Sequence, residues 1–320
     1  MPETLADHAP PALFPGDVVL RAGIARAVVR PRAGGRVCTL ELARPDGQAV
    51  PVLYPYEGAG VDPVNWGKGG IYPLAPYSGR ISQARVHFPG GAADLVPHPN
   101  APPHSLHGHA HGLPWTVQSQ DPEAGRVVLR FDSPSVPAWP WAIQVQATMQ
   151  LQPDALVMDM ALTAGPGANG QGPMPAGLGW HPFFRHRAES RLRFRAGTRW
   201  SAAPDYVPQA PHPVAPQDCF DTPRALPEGA ITTDLSQWQG TFDLELPEGD
   251  VLQLQADAPA THLVLHRTAA QNYLCVEPVT HVADGFNLAA RGVPGTGTVW
   301  LAPGETLRSR LTLRLSPHRF

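Results

Sequence analysis

Four short stretches of this 320-residue chain set proton-carrying or hydrogen-bonding side chains among glycines, prolines and apolar residues. The first is Gly70-Ile71-Tyr72-Pro73-Leu74-Ala75-Pro76-Tyr77-Ser78-Gly79-Arg80-Ile81. Arg80 follows a tight turn at the mouth of a predicted strand, where its planar fork of donors could meet several hydroxyls. An arginine in that position can equally lie in solvent or pair with a carboxylate. The second is His104-Ser105-Leu106-His107-Gly108-His109-Ala110-His111-Gly112-Leu113-Pro114-Trp115. Its histidines invite a metal reading, yet H-x-x-H-x-H-x-H lacks the i, i+4 register of zinc-binding helices and encloses no cysteine or carboxylate. On a strand His107, His109 and His111 would share one face. The expectation is that no metal binds, that one histidine meets a substrate hydroxyl and that the others are solvated.

The third stretch, Gly177-Leu178-Gly179-Trp180-His181-Pro182-Phe183-Phe184, fixes a histidine between glycines, a proline and aromatics. Burial lowers an imidazole's pKa and a nearby carboxylate raises it, so His181 is a candidate for proton transfer near neutrality; a core histidine bonded to backbone is the alternative. The fourth, Leu274-Cys275-Val276-Glu277-Pro278-Val279-Thr280-His281, predicts Glu277 at the end of an apolar strand, with Pro278 terminating the pairing. A carboxylate at a strand end beside a cleft suits a general base, while a structural salt bridge would also account for it.

These residues need a scaffold, and period-two alternation is the strongest signal for one. Ile143, Val145, Ala147, Met149 and Leu151 alternate with polar residues, and Leu156, Met158, Met160 and Leu162 resume the pattern after a turn at Gln152–Ala155. That predicts a hairpin of half-buried strands. Leu307, Leu311, Leu313 and Leu315 repeat it at the other end of the chain. Further predicted strands are Ala25–Arg30, Val37–Leu42, Ala49–Leu53, Arg80–Phe88, Val127–Phe131, Val251–Gln255, Leu263–His266 and Tyr273–Val276. Helical periodicity is nearly absent, and 39 prolines with 31 glycines punctuate the chain. An all-β sandwich or barrel is expected, as one domain over residues 1–320, with Ala202–Pro216 as a long surface loop.

Bulk properties narrow the partners. A net charge of −3 without a basic patch argues against nucleic acid and for a small neutral molecule. No run approaches the ~20 apolar residues of a membrane span. Met1–Pro15 lacks the features of a signal peptide, so a cytoplasmic protein is expected. Cys38, Cys219 and Cys275 are odd in number and far apart, which predicts reduced, mostly buried thiols.

Taken together and in order, the motifs resemble those of the aldose 1-epimerase (galactose mutarotase) family. The matching pieces are Pro73-Leu74 with Gly79-Arg80-Ile81, His107-Gly108 with Trp115, Gly177 to Phe184, and Cys275-Val276-Glu277-Pro278-Val279-Thr280 with Asp284 and Asn287. The resemblance implies a large antiparallel β-sandwich with an open sugar cleft on one sheet. It also implies His181 as general acid, Glu277 as general base, and Arg80 and His107 as sugar ligands, with neither metal nor cofactor. Where family members carry an arginine four residues after the His-Gly histidine, this chain has His111. A sugar-binding aspartate is matched by Asp234, although a shift of one or two residues would place Thr233 or Ser236 there instead. The chain's tryptophans could offer ring faces to a pyranose or, alternatively, fill the core. Two rival functions share the fold: a hexose-phosphate mutarotase, for which Arg185, His186, Arg187 or Arg85 would supply positive charge, and a non-catalytic sugar-binding protein.

Overall fold

The computed structural model describes residues 12–60, 67–168, 171–269 and 272–316. The amino-terminal reading, up to residue 11, and Trp66 lie outside these ranges. Two antiparallel sheets, one eleven-stranded and one nine-stranded, carry most of the chain. The predicted hairpin forms the middle of the smaller sheet. Trp141–Leu151 pairs with Ala155–Gly167 in a register that sets Val145 opposite Leu162, Ala147 opposite Met160 and Met149 opposite Met158. Gln152 and Ala155 close its turn. The carboxy-terminal strand Thr306–Ser316 lies on the other side of Ala155–Gly167 and turns Leu307, Leu311, Leu313 and Leu315 inward. Those side chains meet Trp180, Phe184, Leu263, Leu265, Leu274 and Val276 of the larger sheet in one continuous apolar core. The fold is therefore an all-β sandwich.

The larger sheet is apolar on both faces at its centre. Every residue of Tyr273–Val279 is buried. Leu274 and Val276 face the core, whereas Tyr273, Cys275 and Val279 join Tyr72, Leu74 and Phe183 in a second apolar cluster. A strand covered on both sides reads as a near-continuous apolar run rather than an alternation.

The structure corrects three expectations and decides a fourth point, the place of the tryptophans. Pro278 does not end its strand: pairing continues to Val279, with Pro278 opposite Leu263. Proline accommodates extended backbone and forfeits only its N–H. That loss is visible on the other side, where Gly179 pairs with Val279 and Phe183 with Cys275, with no pairing between them around Pro182 and Pro278. Arg80–Phe88 is not one strand but Arg80–Ile81, a 3₁₀ turn Ser82–Ala84 and Arg85–Phe88, because Gln83 and Ala84 adopt positive φ. The proline-rich stretch contains a strand, Pro208–Pro213, paired with Thr198–Ala202 at the sheet's edge, where missing donors cost nothing on the open side. Tryptophan serves the core: Trp115, Trp139, Trp141, Trp180, Trp200 and Trp238 are all buried.

Candidate active site

The register of the larger sheet lines five side chains into one row. His181 is opposite Tyr72, Val264 is opposite Glu277, and Asp234 is opposite Val264. The pairs Gly179 with Val279 and Phe183 with Cys275 leave His181 facing Glu277 across the proline-interrupted ladder. This row floors a cavity of about 530 Å³, whose walls include Lys68, Arg80, His107, Tyr206, Thr232 and His266. All five residues singled out from sequence, His181, Glu277, Arg80, His107 and Asp234, line it. The alternation also distinguishes Asp234 from its neighbours. Thr233 lies on the opposite face, and Ser236 accepts a hydrogen bond from Trp200 Nε1 at 3.0 Å.

His181 Nε2 is 3.3 Å from Glu277 Oε1, and both side chains are buried. Stacking, not hydrogen bonding, orients the imidazole. It lies between Tyr72 (centroids 4.6 Å apart) and Phe183 (4.8 Å, 13° between planes), with the His107 ring edge-on at 5.3 Å. Its Nδ1 has no hydrogen-bond partner among the described residues. Desolvation holds His181 well below the usual imidazole range and Glu277 well above the usual carboxylate range, the latter helped by the charge of Asp234. The two directions favour one state of a coupled buried pair, carboxylic acid beside neutral imidazole. Carboxylate with imidazolium is a tautomer of that state, so a ligand can convert one to the other without exchanging protons with solvent.

His107 reaches the cavity through a left-handed backbone, φ 60°, which histidine tolerates better than most residues. The next residue must be glycine: Gly108 has φ 67°, and a Cβ there would lie 2.3 Å from Ala75 O. The Gly79 N–H donates to His107 Nδ1 at 3.1 Å, so the neutral ring carries its proton on Nε2 and presents a donor to the cavity. Burial depresses its pKa well below the imidazole range. The ligating atoms of His107, His181 and Glu277 lie within 4.8 Å of one another, a grouping that could in principle hold a cation. The tautomer of His107 makes the set better suited to a hydroxyl, since an N–H faces inward where a metal requires a lone pair. Arg80 is half-buried, its guanidinium 4.9 Å from the Tyr206 ring centre. Across from it, desolvation pushes Asp234 up to about 6, opposed by the Ala283 N–H and the charge of Arg80.

Other histidines depart from expectation. His104 and His111 are buried and His109 is half-buried rather than solvated, and no strand sets them on one face, although the His111 ring still meets that of His107 edge-on at 6.1 Å. His104 is buried against Asp205 at 3.1 Å, His109 bonds Ser133 Oγ at 3.0 Å, and His111 is buried with its ring stacked on Tyr72. The segment turns into a 3₁₀ helix, Ala110–Gly112, instead of running on as a strand. The proposed cationic set is elsewhere too. Arg185 pairs with Glu248, Arg85 pairs with Asp94, and His186 is buried outside the cavity wall. Lys68 and Arg80 are the lysine and arginine side chains on that wall. Sequence reasoning missed Tyr72, Phe183, Val264 and His266, although counting in twos from His181 along its strand would have reached Phe183. Backbone strain concentrates here as well. Of the six non-glycine residues with positive φ among the described residues, Gln83 and Ala84 follow Arg80, His107 and Tyr206 line the cavity, and Asp284 packs behind Arg80, leaving only Gln237 elsewhere.

The family model for aldose 1-epimerase matches residues 17–314. The chain belongs to the aldose 1-epimerase family. An uncharacterized Escherichia coli K12 protein, YphB, is 24% identical over 274 residues, covering 83% of this chain and 89% of its own. The crystal structure of a proposed aldose 1-epimerase from Escherichia coli K12 superposes with a TM-score of 0.80 at 24% identity, covering 94% of this chain and 98% of the other. A galactose mutarotase-like protein from Clostridium acetobutylicum gives 0.78 at 17% identity, with 93% and 94% covered. At these identities the superpositions establish a shared fold. Among the described residues no helix is long and apolar enough to cross a membrane.

Proposed function

We propose that the protein interconverts the α and β anomers of a free aldohexose by acid–base ring opening and reclosure. The observation that carries this reading is the His181–Glu277 pair, 3.3 Å apart on the floor of a cavity of pyranose scale and walled by hydrogen-bond donors. Ring opening removes the proton of the anomeric hydroxyl and delivers one to the ring oxygen. Glu277 as carboxylate takes the first and His181 as imidazolium gives the second. The step leaves carboxylic acid and neutral imidazole, the tautomer that desolvation favours, so the buried pair relaxes as the ring opens. The aldehyde turns about its C1–C2 bond, and closure on the other face reverses both transfers. Two positioned proton transfers supply roughly 10²–10⁴-fold each, ample for a reaction that already proceeds in water.

Arg80, the His107 Nε2–H and Asp234 would hold the remaining hydroxyls, with Tyr72 and Phe183 offering apolar ring surface to the C–H face. Lys68 at the rim gives the phosphorylated-sugar alternative a specific residue to act through. Polarimetry on freshly dissolved α-aldoses, each compared with its 6-phosphate, tests both. Acceleration of a free hexose supports the proposal; acceleration confined to the phosphate would transfer the function to that alternative; binding without acceleration would leave a sugar-binding protein.

A further inference from the structure

One six-residue segment, Ser78–Gln83, carries Arg80, and three of its backbone amides donate to imidazole nitrogens. Ser78 N–H donates to His281 Nε2 at 3.2 Å, Gly79 N–H to His107 Nδ1 at 3.1 Å, and Gln83 N–H to His104 Nδ1 at 3.1 Å. Ser82 N–H donates to Asp284 Oδ1 at 2.9 Å. A backbone amide can only donate, so each of those three nitrogens holds a lone pair and each ring is a neutral, fixed tautomer. The displaced protons have their own acceptors: His281 Nδ1–H donates to Val282 O at 2.7 Å, and His104 Nε2–H to Asp205 at 3.1 Å. Regular pairing gives this segment little, since Arg80–Ile81 is a two-residue strand on Ser105–Leu106.

The sequence clears space for the arrangement. A Cβ on Gly177 would lie 1.9 Å from His281 Cδ2 and 2.1 Å from its Nε2, so the first glycine of the Gly-Leu-Gly-Trp-His motif exists to admit the His281 ring. Gly79, at φ 68°, would place a Cβ 2.5 Å from that of Ala283, beside Asp284, whose N–H donates to Arg80 O at 2.7 Å. Motifs far apart in the chain thus converge on one short span of backbone.

We propose that His281 and His104 act with His107 as a cradle of neutral imidazoles that sets the position of Arg80, making His281 and His104 positioning residues for sugar binding. The kinetic part of this claim rests on the aldose reading above; the structural part does not. The first test is ¹⁵N NMR of the wild-type imidazoles at pH 7. His281 should show an unprotonated Nε2 and His104 an unprotonated Nδ1, with slow hydrogen exchange at the Ser78 and Gln83 amides. A proton on either nitrogen overturns the cradle whether or not any sugar is turned over. The second test is a double-mutant cycle. His281→Phe removes the acceptor and should raise KM about tenfold with kcat nearly unchanged, while His281→Gln, which returns an acceptor oxygen, should restore it. In an Arg80→Ala background the same Phe substitution should do nothing further, because a positioning effect has lost its object. An equal rise in both backgrounds would reduce His281 to general structural support. Failure of every aldose to react would sink the functional reading and leave the NMR result to decide the cradle alone.

Discussion

Replacing Glu277 with glutamine separates two views of the buried pair, because it should lower activity and raise stability together. Desolvation lifts the folded-state pKa of Glu277 well above 4.5. A carboxyl raised on folding binds more protons in the folded state, so it costs stability at pH values above its unfolded value, and the cost grows as pH rises toward the folded value. Glutamine keeps the shape and removes that cost. The variant should therefore melt higher than the wild type at pH 8, with the difference shrinking as pH falls and vanishing only below the unfolded value of 4.5, where both states of the wild type are protonated. If instead the resting pair were a charged salt bridge, leaving His181 as an unpaired buried cation would cost about 3–5 kcal/mol. At ~2–4 °C per kcal/mol for a large domain, that is a fall on the order of 10 °C. Calorimetry at three pH values distinguishes a rise from such a fall, and circular dichroism verifies the fold. The turnover number should drop by about 10²–10⁴-fold. A large fall in melting temperature would refute the one-proton, neutral resting pair.

Four further outcomes follow from the same geometry. The pH profile of kcat/KM should have its acid limb below the ordinary imidazole value of 6.5 and its alkaline limb above the ordinary carboxylate value of 4.5. An acid limb at or above 6.5 would contradict the direction assigned to His181. Asp234, pushed up to about 6, should give KM an inflection near that pH, absent in Asp234→Asn. Arg80→Ala should cost about 1.5–3 kcal/mol of binding, or roughly 10- to 150-fold in KM, with a smaller effect on kcat. Gly108→Ala forces a Cβ to 2.3 Å from Ala75 O at φ 67°, so it should destabilise the protein by about 1–3 kcal/mol and weaken sugar binding through His107; urea denaturation and KM measure the two effects.

Much of this was legible in the chain, for identifiable reasons. The hairpin from Trp141 to Gly167 announces itself because one of its faces is buried and the other wet, so polarity alternates with the pleat. Its turn at Gln152–Ala155 was readable to the residue. The central strands around His181 and Glu277 are covered on both faces, which erases alternation and conceals which residues look into the cavity. That is why Tyr72 and Val264 escaped notice although they flank the pair. Pro278 misled because an isolated proline reads as a strand end, whereas here it interrupts a ladder without ending it. The histidines of the second motif looked solvated since their partners, Ser133, Asp205 and the backbone of Gln83, come from other parts of the chain. Asp234 could be fixed only by register, since Thr233 and Ser236 differ from it by which face they occupy and how far along the strand they lie.

The most direct test of the central claim is exchange spectroscopy on a hexose already at anomeric equilibrium, following magnetisation passed between the H1 protons of the two anomers. Wild-type protein should produce cross-peaks that grow in proportion to its concentration, and His181→Asn and Glu277→Gln should each abolish them while remaining folded. Cross-peaks of undiminished strength in either variant, or none above the buffer level with wild-type protein across the common aldohexoses, would contradict the account.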